Sequence, residues 1–181
     1  MPLYVLNVAS VRTFNMGACQ NTDFIFVYGT LRASERHPLA QLLARNARFM
    51  GEASYQGRLY RVKDYPGAVP SDDPTENVQG DVFFLTNKKK LLPQLDRYEA
   101  CSPNFPKPTE FIRTIQKVCF RDGRTVSAWI YLYNYSTAGL AMIESGNYAA
   151  GLLTKKVNRH QPFKPRRSLY QPHRKKRPRT Q

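Results

Sequence analysis

The run Phe24-Ile25-Phe26-Val27-Tyr28, ended by Gly29, constrains the fold more than any other segment of the chain. It is apolar without alternation and rich in β-formers, so a strand made from it must be covered on both faces. That is the pattern of a central strand, not of an edge. A chain of 181 residues with 41 % hydrophobic side chains can supply such cover within one domain. No stretch approaches the roughly 18 consecutive apolar residues of a membrane span, so an integral membrane protein is not expected.

The segments around this strand set the fold class. After Ser34, residues Leu39, Leu42, Leu43, Asn46, Ala47 and Met50 recur at helical spacing, with Pro38 suited to the first turn and Gly51 to the stop. From Ala53 to Val62 the pattern shifts to alternation, and Asp64-Tyr65-Pro66-Gly67 is turn chemistry. Val78 to Leu85 reads as a strand in which Gly80 marks a bulge or a close backbone approach. Asn87 caps a second helix through Leu91, Leu92, Leu95 and Tyr98, and Ala100–Glu110, with three prolines, is a loop. Phe111–Phe120 and Thr125–Asn134 are strands joined around Asp122-Gly123, a strong hairpin signal. In the second of them Val126, Ala128, Ile130 and Leu132 share one face. Two helices among about five strands predict an α+β domain: a small mixed β-barrel with flanking helices.

Charge divides the chain. Of its 28 Lys and Arg, eleven lie between Lys155 and Gln181, which holds no Asp or Glu; the other 17 face 13 acidic side chains. The net charge of +15 therefore belongs mainly to a tail. We expect a loosely ordered N-terminal extension over 1–22, a folded domain over 23–153 and a basic disordered tail over 154–181. The run Arg174-Lys175-Lys176-Arg177 can attract nucleic acid or another acidic partner without specificity. Tyr4-Val5-Leu6 lacks the basic flank of a secretory signal, and Met1 and Met16 are both candidate start sites. Cys19, Cys101 and Cys119 form no CxxC pair, and His37, His160 and His173 no metal pattern. These absences predict no cofactor, no metal and a reducing cytoplasm.

Two features can carry chemistry. In Tyr28-Gly29-Thr30-Leu31-Arg32 a buried strand empties into a loop, where a glycine admits close approach and successive N–H groups can cradle a carboxylate. A simple turn is the plainer reading of the same residues. Glu99 falls on the apolar face of its helix, four residues after Leu95 and seven after Leu92, and close to the C-terminus. Burial and the helix dipole both push such a carboxyl pKa upward, unless the helix has already unwound and the side chain is solvated. Asp96 points nearer the edge of that stripe. Cys101 has no neighbouring base to make it a thiolate. Trp129, Tyr131, Tyr133 and Tyr135 either line a pocket or, more commonly for strand aromatics, pack.

Six segments in order carry a family resemblance: Val27-Tyr28-Gly29-Thr30-Leu31-Arg32, Gly57-Arg58-Leu59-Tyr60, Tyr65-Pro66-Gly67-Ala68-Val69-Pro70, Val78-Gln79-Gly80-Asp81-Val82, Leu95-Asp96-Arg97-Tyr98-Glu99 and Ala128-Trp129-Ile130-Tyr131-Leu132-Tyr133. Together with Ser145-Gly146-Asn147-Tyr148 they resemble the γ-glutamylcyclotransferase-like family, in the branch with γ-glutamylamine cyclotransferase and the plant avirulence-induced proteins. The resemblance implies a cofactor-free reaction in which the α-amine of a γ-glutamyl group attacks its own γ-carbonyl and 5-oxoproline leaves. It assigns Glu99 as general base and Tyr28, Gly29, Thr30 and Leu31 as the substrate loop. The loop reads Gly29-Thr30-Leu31 where the glutathione-pathway branch has Gly-Ser-Asn. The stretch after Glu99 is also longer and richer in proline than in many relatives, with Arg113 as counterpart of an Arg that they reach sooner.

Two other readings compete with an enzyme. One is a non-catalytic small-molecule-binding or regulatory module on the same fold. The other is a nucleic-acid-associated protein that relies on the basic tail, although the ordered part has no recognisable reading motif.

Overall fold

Phe24–Val27 forms strand β1 in the middle of the sheet of this computed structural model, which describes residues 21–29, 32 and 38–148. The order continues with α1 (Pro38–Asn46), β2 (Ala47–Arg61), β3 (Pro66–Pro70), β4 (Asn77–Leu85), α2 (Lys88–Tyr98), β5 (Phe111–Phe120), β6 (Thr125–Tyr133) and β7 (Ala141–Met142). β1 runs antiparallel to β4, from Phe24↔Phe84 to Val27↔Asp81, and parallel to β6 through Ile25↔Trp129. β6 pairs with β5, and β4 with β2. β2 then meets β5 through Ala53↔Phe120 and Ser54↔Cys119, so the ring β2-β4-β1-β6-β5 closes into a five-stranded barrel. The expected α+β barrel with two helices is the fold. β3 and β7 pair with the far half of β2.

The composition of β1 follows from its place. Phe26, with Tyr28 beyond the strand end, points into the barrel with Ala53, Tyr55, Val82 and Ile130. Ile25 and Val27 point outward beneath Leu43 of α1 and Leu91, Leu92 and Leu95 of α2. Neither face of β1 meets water, which is why the run does not alternate. The β6 face predicted from period 2 is also found: Ala128, Ile130 and Leu132 line the barrel, with Val126 packed at its edge.

Three expectations are corrected. The first helix stops at Asn46, because Ala47, Arg48 and Phe49 are drawn into pairing with Leu85, Phe84 and Phe83 of β4. Gly51 is no helix stop: with φ +138° it forms the bulge that leaves Met50 unpaired between Phe49 and Gly51. The β2–β3 turn spans residues 62–65, two residues earlier than expected, and Pro66 opens β3 opposite Arg61. β3 ends the main run of paired strands, where a missing N–H is tolerated. Gly80 is a close approach, since a Cβ there would lie 2.4 Å from the Val27 carbonyl oxygen and 2.5 Å from Phe26 Cζ.

Asn87 caps α2 as expected, its side chain accepting from the Lys90 N–H. Among the described residues no helix is long and apolar enough to cross a membrane. The N-terminal extension up to residue 20, the basic tail, Cys19 and the three histidines lie outside the described residues.

Candidate active site

Two strands, β6 and β3, come together where β1 finishes. Tyr28 ties them together. Its hydroxyl donates to the Tyr131 carbonyl at 2.6 Å and accepts from the Ala68 N–H at 3.2 Å. Gly29 follows directly, and a Cβ there would lie 2.9 Å from Pro66 Cγ. Packing against β3 therefore requires this glycine whatever ligand approaches it. The Arg32 N–H donates to the Gly29 carbonyl at 3.0 Å, closing a four-residue turn. Thr30 and Leu31, the central residues of the expected substrate loop, lie outside the described residues.

Glu99 is 6 % exposed, which rules out the solvated alternative. The helix does end beside it, but the Glu99 N–H still donates to the Leu95 carbonyl at 2.8 Å. The carboxylate thus keeps the direction of the apolar stripe. The chain then turns sharply. Ala100 adopts φ +53°, its N–H donates to the Arg97 carbonyl at 3.4 Å, and the Cys101 N–H reaches back to the Asp96 carbonyl at 2.9 Å. This pair of bonds is a Schellman cap with alanine at the position that glycine usually fills.

Asp96 lies deeper in the structure than its place at the stripe's edge suggested. Its Oδ1 accepts from the Tyr131 hydroxyl at 2.8 Å and from Arg113 Nε at 3.1 Å, with Cys101 Sγ at 3.6 Å. The Arg113 guanidinium also lies over the Trp129 ring, 4.6 Å from its centroid. Burial, reinforced by Asp96, holds the Tyr131 phenol well above its ordinary pKa, so it remains a neutral donor. Burial and then Asp96 push the Cys101 thiol up to about 12, which suits an inert cysteine. The charge of Glu99 adds a smaller push to both shifts.

Tyr131 therefore joins the two predicted features. Its backbone carbonyl holds Tyr28 at the loop, and its hydroxyl holds Asp96 on α2, one turn before Glu99. The other aromatics pack. Tyr133 sits edge-on between Phe111 and Tyr135, at 5.7 and 5.9 Å, and the Tyr65 hydroxyl donates to Glu110. Sequence reasoning missed the Asp96–Arg113–Tyr131 cluster and the buried ion pair of Arg32 with Asp81 at 3.2 Å. Both join residues far apart in the chain, and only the Asp96–Glu99 spacing hinted at the first. Among the described residues no group of three His, Cys, Asp or Glu side chains is placed to hold a metal. The arrangement buries the Glu99 carboxylate at the end of α2, and Tyr131 links that helix to the strand end from which the glycine loop departs.

Comparison with known proteins concerns the family and the fold. A family model described as gamma-glutamyl cyclotransferase, AIG2-like, matches residues 25–150. The gamma-glutamylcyclotransferase family protein YtfP of Citrobacter rodentium is 33 % identical over 125 residues, 68 % of this chain and 93 % of that protein. Its counterpart in Escherichia coli K12 is 31 % identical over 125 residues, 68 % of this chain and 94 % of that protein. Among solved structures, an AIG2-like protein from Mus musculus aligns with a TM-score of 0.54 at 22 % identity, covering 69 % of this chain and 88 % of that one. At that identity the likeness concerns the fold alone.

Proposed function

The chain belongs to the gamma-glutamyl cyclotransferase, AIG2-like family, and we propose that it releases 5-oxoproline from a γ-glutamyl amine or γ-glutamyl peptide. In this reading Glu99 takes a proton from the substrate α-ammonium. The freed amine attacks the γ-carbonyl carbon of the same glutamyl group, forming the five-membered ring and a tetrahedral intermediate. Protonated Glu99 gives its proton to the departing nitrogen as the C–N bond breaks. The regenerated carboxylate takes the second proton from the ring nitrogen and passes it to the freed amine, so 5-oxoproline and the ammonium form of the amine leave. Atoms and charges balance without any cofactor. The loop of Tyr28, Gly29, Thr30 and Leu31 holds the substrate, with Tyr28 fixing the strand end from which it departs.

A ring closure of this kind needs little beyond placement and one proton carrier. Held intramolecular reactants reach effective molarities of about 10⁵–10⁸ M. General acid–base help adds about 10²–10⁴-fold. The observation that carries the reading is the burial of Glu99 at the end of α2, one turn after the Asp96 held by Tyr131, whose carbonyl also holds Tyr28. The test is a mass-spectrometric screen for 5-oxoproline across a panel of γ-glutamyl amines and peptides. Release from at least one member, absent without protein, supports the enzyme. Binding of panel members with no 5-oxoproline formed supports instead the non-catalytic module on the same fold.

A further inference from the structure

We propose that Arg32 is a substrate-binding residue whose Nε–H takes the α-carboxylate of the γ-glutamyl group, an inference that rests on the reading above. Arg32 is 9 % exposed, and its guanidinium is anchored on two sides: Nη2 to Asp81 at 3.2 Å and Nη1 to Asn147 Oδ1 at 3.0 Å. Glu52, itself paired with Arg121, lies 3.8 Å from Nη2. Nε remains. It is buried and has no hydrogen-bond partner among the described residues. A buried, permanently charged donor left unpaired is unfavourable, and a carboxylate is the ligand that a guanidinium edge fits best.

The sheet sets where this donor lies relative to Glu99. Asp81 pairs with Val27 of β1, and Val27 points to the outer face beneath the helices. On the other side of β1, the parallel register Ile25↔Trp129 brings Tyr131 level with Val27, and Tyr131 belongs to the same outer cluster. Asp81 and Tyr131 therefore flank the end of β1 on one face, two strand spacings or about 10 Å apart. Arg32 is fastened to the first, and the second holds Asp96, one turn before the buried Glu99. An α-amino acid head group, about 9 Å with a hydrogen bond of about 2.9 Å at each end, matches that strand spacing. Its ammonium faces Glu99 and its carboxylate faces Arg32. The Gly29–Arg32 turn carries this donor within the loop that the reaction already needs.

The test pairs enzyme variants with a substrate lacking the group in question. Removing the α-carboxylate from a γ-glutamyl amide gives a 4-aminobutyramide, which cyclises by the same steps to 2-pyrrolidinone. Arg32→Lys keeps a cation for Asp81 but loses Nε–H, and Arg32→Gln guards against an effect peculiar to lysine. The expected result is a fall of at least tenfold in kcat/KM for the γ-glutamyl amide, mostly in KM, with the 4-aminobutyramide changed less than about threefold. Equal losses on both substrates would reduce Arg32 to a structural residue, and no loss on either would remove it from the site. If the wild-type protein forms no 5-oxoproline from any panel member, the enzymatic reading fails separately. Calorimetry with 5-oxoproline then decides: binding by the wild type that is lost in both variants supports the carboxylate site, whereas equal or absent binding overturns it.

Discussion

The hydroxyl of Tyr28 donates to the backbone carbonyl of Tyr131 across 2.6 Å, although 103 residues separate the two in the chain. The same oxygen accepts from Ala68, so one side chain closes β1, β3 and β6 around the loop that leaves β1. Tyr131 in turn reaches Asp96 through its own hydroxyl. Loop and helix end are coupled through two tyrosines.

Tyr28→Phe removes that oxygen and leaves a buried carbonyl and a buried N–H unpaired. The cost is expected at about 1–3 kcal/mol, read as a lower urea midpoint with an unchanged slope. KM for the γ-glutamyl substrate rises as the loop loses its anchor. A variant with parental stability and KM would show that the bond does neither task.

Ala100 sits at φ +53° in a Schellman cap, a conformation that costs an L-residue roughly 1–2 kcal/mol. Ala100→Gly relieves this at a smaller entropic cost, so the melting temperature rises by a few degrees. A fall in melting temperature would mean that the alanine methyl packs more than it strains.

How much of this was legible depended on the range of each signal. The central strand, the α2 cap and the β5–β6 hairpin were readable because period, cap and turn residues act within a few positions. Helix α1 was overextended because Ala47 and Met50 continue a helical spacing, while the competing β4 partners of this stretch lie more than 30 residues away. Glu99 stood out as a charge on an apolar stripe, and its burial bears out that reading. Asp96 looked marginal because Arg113 and Tyr131, which neutralise and hydrogen-bond it, come from another hairpin. Arg32 gave no local signal at all, since Asp81 is 49 residues away.

Alkaline pH should weaken the fold in a set order. The folded protein keeps the Cys101 proton up to about 12, whereas an unfolded thiol loses it near 9.0. The folded state thus binds more protons in that window, and stability falls as pH rises from 9 towards 12. Tyr131, raised above 10.0, adds to the loss from there upward. Urea midpoints between pH 8 and 10.5 should decline, with Cys101→Ala removing the earlier part of the decline. A flat profile would contradict the burial of both groups. The same burial predicts that native Cys101 resists alkylation at pH 7.5.

Gly29→Val should damage both fold and site. Its side chain would start 2.9 Å from Pro66 Cγ, and a proline ring cannot rotate away. Overpacking of this kind costs about 1–3 kcal/mol. Gly29→Ala meets the same ring with less bulk and should lie between the parent and Gly29→Val in both melting temperature and KM. Parental affinity in folded Gly29→Val would remove the loop from substrate binding.

The central claim is that Glu99 carries the proton, and single-turnover measurement of 5-oxoproline release by Glu99→Gln tests it most directly. The amide keeps the shape and hydrogen-bonding reach of the carboxylate but cannot accept the proton. Turnover should fall by at least about 10²-fold while the substrate still binds. Asp96→Asn, which weakens the Arg113 and Tyr131 cluster without touching the proton carrier, should lose less in rate. If Glu99→Gln releases 5-oxoproline within about threefold of the parent, well below the acid–base range, Glu99 is not the catalyst and the assignment made through the family is wrong at its central residue.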